Sequence, residues 1–165
     1  MPLQPQDSPL GAFLKALRAD RIDCILIGAM AAIEQGAPLM TVDYDFWVRL
    51  PERQCVRLLA IVQRLGGTIR APTLYELSDG TQVNAVFKPN GLRSFAAEWR
   101  QCRLGRLEGV PLRILPLLRV IASKRAANRE KDRAVLPILE RTLRLGKRLK
   151  NRRRPAHSGK RPREG

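Results

Sequence analysis

Ile25–Leu26–Ile27–Gly28–Ala29–Met30–Ala31 and Thr41–Val42–Asp43–Tyr44–Asp45–Phe46–Trp47–Val48 are the two stretches on which the fold turns. The first is a short apolar run that stops at Gly28 and continues in helix-forming residues, a buried strand breaking into a helix start. Glycine permits close backbone approach there, and a helix start offers free amides to an anion. The second reads as a strand, in which alternate side chains share a face. Asp43, Asp45 and Trp47 therefore point one way, and Tyr44, Phe46 and Val48 point the other way, into a core. Two carboxylates ~6–7 Å apart along one strand face suit a hard divalent cation such as Mg²⁺, which keeps positions for phosphate oxygens. A phosphate at Gly28 and a cation at Asp43 and Asp45 together make a triphosphate cradle. Either feature alone is common; their succession carries the weight. Trp47, on the acidic face, either walls that site, stacks a base, or simply packs.

Outward from these stretches, Leu10, Phe13, Leu14 and Leu17 predict a helix over 10–19. A strand over 22–27 and a short helix over 29–35 follow, stopped by Gly36 and Pro38. After the acidic strand, 52–65 reads as a helix with a stripe of Cys55, Leu58, Leu59, Val62 and Leu65, widened by Val56 and Ile61. Asp79–Gly80 predicts a tight hairpin between 74–78 and 81–87. Residues 94–102 read as helical, and 107–114 as a strand broken near Gly109–Val110–Pro111. Two helices, 117–128 and 130–145, close the pattern, with Pro137 expected to kink the second or delay its start. The order predicts an α/β (α+β) class: a mixed sheet flanked by helices.

At 165 residues the chain is one domain by size. No apolar run reaches the ~20 residues of a membrane span, and the polar, proline-rich Met1–Ser8 does not read as a secretory leader. Cys24, Cys55 and Cys102 are odd in number and widely spaced, which predicts small buried thiols and a reducing, cytoplasmic setting. The single histidine, His157, lies in a polar tail, which leaves no histidine-based metal or nucleophile site. The formal charge is +16, and the stretch 147–165 holds nine Lys/Arg against one Glu, half of that excess. Residues 1–146 are thus read as the folded domain and 147–165 as a basic, disordered tail, with the alternative of an arm that steers the domain to RNA or DNA.

Toward the C-terminus, Leu117, Val120, Ile121 and Lys124 share one helical stripe, and Asp132, Val135, Leu136, Leu139 and Leu143 share another. A Lys and an Asp on inward stripes need partners. They form either a structural Lys124–Asp132 pair, or a set in which Lys124 helps hold a triphosphate and Asp132 orients it.

The succession Ile27–Gly28–Ala29–Met30–Ala31, then Thr41–Val42–Asp43–Tyr44–Asp45, resembles the minimal nucleotidyltransferase fold. Leu118–Arg119–Val120–Ile121–Ala122–Ser123–Lys124 followed by Arg129–Glu130–Lys131–Asp132 resembles the branch found in abortive-infection and toxin–antitoxin systems. The resemblance spans about residues 10–145. It implies Asp43 and Asp45 as catalytic metal ligands for Mg²⁺ (or Mn²⁺), and Gly28 and Ala29 as the phosphate-contacting turn. It also implies Lys124 as an active-site lysine and Asp132 as the acidic residue of the final, nucleotide-binding motif. The activity implied is transfer of a nucleoside monophosphate from an NTP to a hydroxyl on an RNA, protein or small-molecule acceptor, with a toxin or antitoxin as partner.

Three positions depart from that pattern. Ala29 lacks the hydroxyl of the usual second small residue of the turn. Leu39 stands where many relatives carry Arg. Asn84, in Gln82–Val83–Asn84–Ala85–Val86, occupies the place of the third carboxylate. Strand alternation independently puts Asn84 on the polar face with Gln82 and Lys88, while Thr81, Val83, Ala85 and Phe87 share the apolar one. An amide oxygen ligates Mg²⁺ without charge and cannot act as a base, which predicts weakened metal binding at Asn84. Three functions stay open at this point: an active nucleotidyltransferase, a catalytically impaired nucleotide-binding or regulatory relative, and a basic nucleic-acid-binding module.

Overall fold

Ser8 accepts a hydrogen bond from Gly11 N at 3.1 Å, and Pro9 opens the first turn with its fixed φ. Helix α1 (Pro9–Ala19) therefore starts sharply, and it buries Leu10, Phe13, Leu14 and Leu17, the predicted stripe. The computed structural model describes residues 7–154. Strand β1 (Cys24–Ile27) leads directly into the short helix α2 (Gly28–Ile33), and β2 (Asp43–Val48) follows after a loop. A 3₁₀ turn (Glu52–Gln54) precedes α3 (Val56–Arg64); then come β3 (Thr68–Ala71), β4 (Leu74–Glu76), β5 (Gln82–Val86), α4 (Phe95–Gln101), β6 (Arg103–Leu107), β7 (Val110–Ile114), α5 (Leu117–Ala127) and α6 (Glu130–Arg152).

The seven strands form one sheet in the order β3-β4-β5-β2-β1-β7-β6. β2 lies antiparallel to β1 and parallel to β5, while β1 is parallel to β7. The two acidic-strand neighbours are thus the strand that ends at Gly28 and the strand that carries Asn84. Alternation along β2 sends Phe46 toward Phe13 of α1, with ring centroids 6.3 Å apart, and Trp47 toward Phe95 of α4 at 5.0 Å. The core runs through both faces, centred on Ile25, Leu26, Phe46 and Leu58. A second buried anchor is Glu98 of α4, which is fully buried. It accepts from Arg119 Nη2 at 2.7 Å and from Arg93 N at 3.0 Å, tying α4 to α5.

Four expectations need correction. The 3₁₀ turn changes the phase of α3, because three residues per turn replace 3.6; Leu58, Ile61 and Val62 face the core and Val56 is exposed. Strands β3 and β6 went unread. β3 pairs with β4, and the break expected at 109–111 is the turn of a β6–β7 hairpin in which Glu108 and Gly109 both have positive φ. Pro137 does not delay the start of α6, which opens at Glu130 and runs through it. It removes one ladder bond, but Leu136, Leu139 and Leu143 pack on the core and carry the helix across it. Finally, α6 reaches Arg152, so 147–152, assigned to the tail, continues a helix. Most of the remaining expected tail, 155–165, including His157, lies outside the described residues. The three cysteines are free and partly buried; burial pushes the Cys24 thiol up to about 12 and that of Cys102 up to about 11.

Candidate functional site

Where β1 ends, Gly28 takes φ +70°, a left-handed conformation that L side chains rarely adopt. A Cβ at that position would overlap Asp45 Oδ2. Gly28 is therefore what allows the Asp45 carboxylate to lie against the β1–α2 turn. The β1–β2 register sets Ile27 opposite Asp45, and the β2–β5 register sets Asn84 on its other side. Asn84 Nδ2 donates to Asp45 Oδ1 at 2.9 Å. The amide that replaces the expected third carboxylate is thus engaged with the second one. Burial pushes the Asp45 carboxyl above its ordinary range and Asp43 adds to the rise, while the Asn84 hydrogen bond and the charges of Lys124 and Lys131 oppose it.

These groups line a cleft of about 410 Å³ between the sheet and the α5–α6 corner, a volume within the range of small-molecule sites. Asp45, Gly28, Asn84 and Lys124 face it, joined by Lys88, Arg129 and Lys131. Four basic side chains against one carboxylate give it the charge of an anion site.

Three of the predicted residues stand elsewhere. Asp43 is one pleat back on the same face, at the start of β2; its N–H donates to Thr41 Oγ1 at 3.3 Å, and it does not line the cleft. Ala29 continues into α2 without lining it. Asp132 is fully buried behind the cleft. It accepts from Arg129 N at 3.1 Å and Arg129 Nε at 2.7 Å, and Lys124 Nζ lies 3.5 Å away. Burial alone would raise the Asp132 carboxyl, but the bonds from Arg129 and the charge of Lys124 outweigh it, so the net direction is down. Asp132 thus caps α6 and holds Arg129 and Lys124 in place, the structural Lys124–Asp132 pairing that was one of the two readings of these stripes. Trp47 likewise packs: it is buried, and its indole N–H donates to Phe87 O at 3.2 Å.

Lys88, Arg129 and Lys131 were missed as cleft residues. The signal lay in the sequence, since Arg129 and Lys131 lie just before Asp132. It takes the left-handed Asn128 cap, φ 49°, to turn that segment from α5 into α6 at the cleft. The oxygen donors are Asp45 and the Asn84 amide in the cleft, with Asp43 one pleat back on the same strand face. They fit one hard cation that also takes phosphate oxygens and water. Among the described residues no group of three His, Cys, Asp or Glu side chains gathers.

No protein-family model matches the sequence, and no curated protein matches it in sequence. Solved structures do match its fold. The solution structure of the antibiotic-resistance factor ANT(2'')-Ia aligns with a TM-score of 0.55 at 18% identity, over 87% of this chain and 90% of that one. The crystal structure of ANT(2'')-Ia in complex with adenylyl-2''-tobramycin aligns with a TM-score of 0.51 at 17% identity, over 87% and 95%. An antigenic nucleotidyltransferase-like protein from Paracoccidioides brasiliensis aligns with a TM-score of 0.53 at 14% identity, over 88% and 79%. The chain has a nucleotidyltransferase-like fold.

Proposed function

We propose that the cleft binds a nucleoside triphosphate and that the protein transfers its nucleoside monophosphate to a hydroxyl acceptor. The observation that carries this reading is the meeting of Asp45, Gly28 and Lys124 with Arg129 and Lys131 in one cationic cleft. Lys124, Arg129 and Lys131 would offset the charge of the phosphates, and the Gly28 turn lets the Asp45 carboxylate lie against the start of α2, facing the cleft. Asp43 and Asp45 would hold Mg²⁺ (or Mn²⁺), which supplies charge neutralisation at the attacking and leaving oxygens. In the transfer, an acceptor oxygen forms a bond to the α-phosphorus, the bond to pyrophosphate breaks, and the acceptor proton is lost. Asn84 has no basic atom for that proton, which therefore leaves to water rather than to a third carboxylate. The basic rim favours a neutral or anionic acceptor, an RNA or a protein hydroxyl. The resemblance of 118–132 supports a toxin–antitoxin or phage-defence role, and the free cysteines fit a cytoplasmic setting. No helix among the described residues is long and apolar enough to cross a membrane.

The test is transfer from α-³²P-labelled NTPs with Mg²⁺ or Mn²⁺. The wild type is expected to label an acceptor, and Asp45→Ala to lose at least about 100-fold, the scale of removing one catalytic group. Equal signal from both would overturn the assignment. A second reading, a nucleotide-binding or regulatory protein without turnover, is favoured by the Asn84–Asp45 hydrogen bond. NTP binding without labelling, together with turnover gained in Asn84→Asp, would select it.

A further inference from the structure

A groove unrelated to the cleft runs along the outer half of α6. Its floor is Ile138, Thr142, Leu145 and Leu149, and its opposite wall is Gly36 and Pro38 of the loop after α2; it encloses about 650 Å³. From Ile138 to Leu149 it extends about 16 Å, three helical turns. Leu145 and Leu149 are 51% and 58% exposed, apolar side chains that nothing among the described residues covers. On the floor, Gly146 has open space where a Cβ would stand, so a facing backbone can come close.

Charge selects the occupant. Arg141 and Arg144 also line the groove, and the stretch 141–154 holds eight Lys/Arg and no Asp/Glu. A second copy would set this basic stretch against itself. The chain's own residues 155–165 carry three Lys/Arg and one Glu, so they too are repelled. A flat anionic surface would meet the basic face but leave the concave apolar floor unfilled. We propose that this groove seats an amphipathic helix of a different protein, whose leucine-like stripe fills the floor and whose flanking Asp or Glu side chains meet Arg141 and Arg144.

The test titrates the full chain into a fluorescein-labelled 20-residue helical peptide with Leu at i, i+4 and i+7 and Glu elsewhere, and into the same peptide with Lys replacing Glu. The Glu peptide is expected to bind with a micromolar Kd that weakens with salt, and the Lys peptide not to bind. Leu145→Asp/Leu149→Asp is expected to weaken binding at least about tenfold at unchanged Tm, since both side chains are exposed, and Arg141→Glu/Arg144→Glu to do the same. Equal binding of the two peptides, no binding of either, or binding untouched by the variants would overturn the proposal. So would a dimer in light scattering that Leu145→Asp/Leu149→Asp dissociates, or binding of a single-stranded RNA or of anionic vesicles that the same variant abolishes.

Discussion

Asp132 and Asp45 both sit within reach of Lys124, yet they are built in opposite ways. Asp132 is fully buried, accepts from Arg129 through backbone and guanidinium, and has Lys124 3.5 Å away. Its carboxyl is held below the ordinary range. Asp45 has a neutral amide as its hydrogen-bond partner, feels Lys124 and Lys131 only as nearby charges, and is pushed upward. A buried carboxylate whose cations already touch it belongs to the scaffold. One whose cations stand off across a cleft leaves Lys131 without a carboxylate partner among the described residues, the charge that the proposed triphosphate would meet. Glu98, clamped by Arg119 and Arg93, belongs with Asp132.

That contrast breaks most visibly if its scaffold half is removed. Glu98→Ala should cost about 3–5 kcal/mol in urea denaturation, because it strands the Arg119 charge in a partly buried site. Asp132→Ala should cost a similar amount, about 3–5 kcal/mol: Arg129 is exposed enough to regain water, but Lys124 is left unpaired in a mostly buried site and α6 loses its cap. It should also weaken NTP binding by releasing Arg129 and Lys124. The pH dependence carries the same sign for both. With folded carboxyls held low, their stabilisation is complete above the unfolded value of about 4 and is lost as pH falls through the folded values. An acid titration of Asp132→Asn should therefore show a shallower loss of stability below pH ~4 than the wild type.

The cleft half predicts smaller stability changes. Gly28→Ala should cost about 1–3 kcal/mol, from the positive φ and the overlap with Asp45 Oδ2, and should weaken nucleotide binding more than it shifts Tm. Asp45→Asn should change stability least and in the opposite direction. With the folded carboxyl raised, ionising it opposes folding, and that cost grows as pH climbs through the range above about 4. The variant should melt slightly higher than wild type at pH 7 and equal to it near pH 3. A lower melt at pH 7 would mean that Asp45 is scaffold like Asp132.

The two aspartates were not equally legible in the sequence. Period-two alternation along Asp43–Val48 and the glycine break at Gly28 are local signals, and the structure brings Asp45, Gly28 and Asn84 together as those signals imply. The separation of Asp43 from the cleft, and the retirement of Asp132 to the scaffold, depend on where the strand begins and on which side of Lys124 the α5–α6 corner turns. Neither is a property of spacing. Lys88, Arg129 and Lys131 come from segments far apart in the chain and meet only through β5 and the α5–α6 corner. The same limit hid β3 and β6: each is a short strand without a strong alternating pattern, fixed by its hairpin partner. The helical stretch 147–152 was hidden by composition, which reports charge but not the packing of Leu139 that anchors the helix upstream.

The most direct test of the cleft assignment is calorimetric titration of Mg²⁺–NTP into the wild type and into Lys88→Ala/Lys131→Ala, two cleft lysines that make no ion pair among the described residues. Micromolar binding that weakens at least about tenfold in the double variant, with Tm unchanged, is the predicted result. Absence of binding in the wild type, or equal affinity in both proteins, would contradict it.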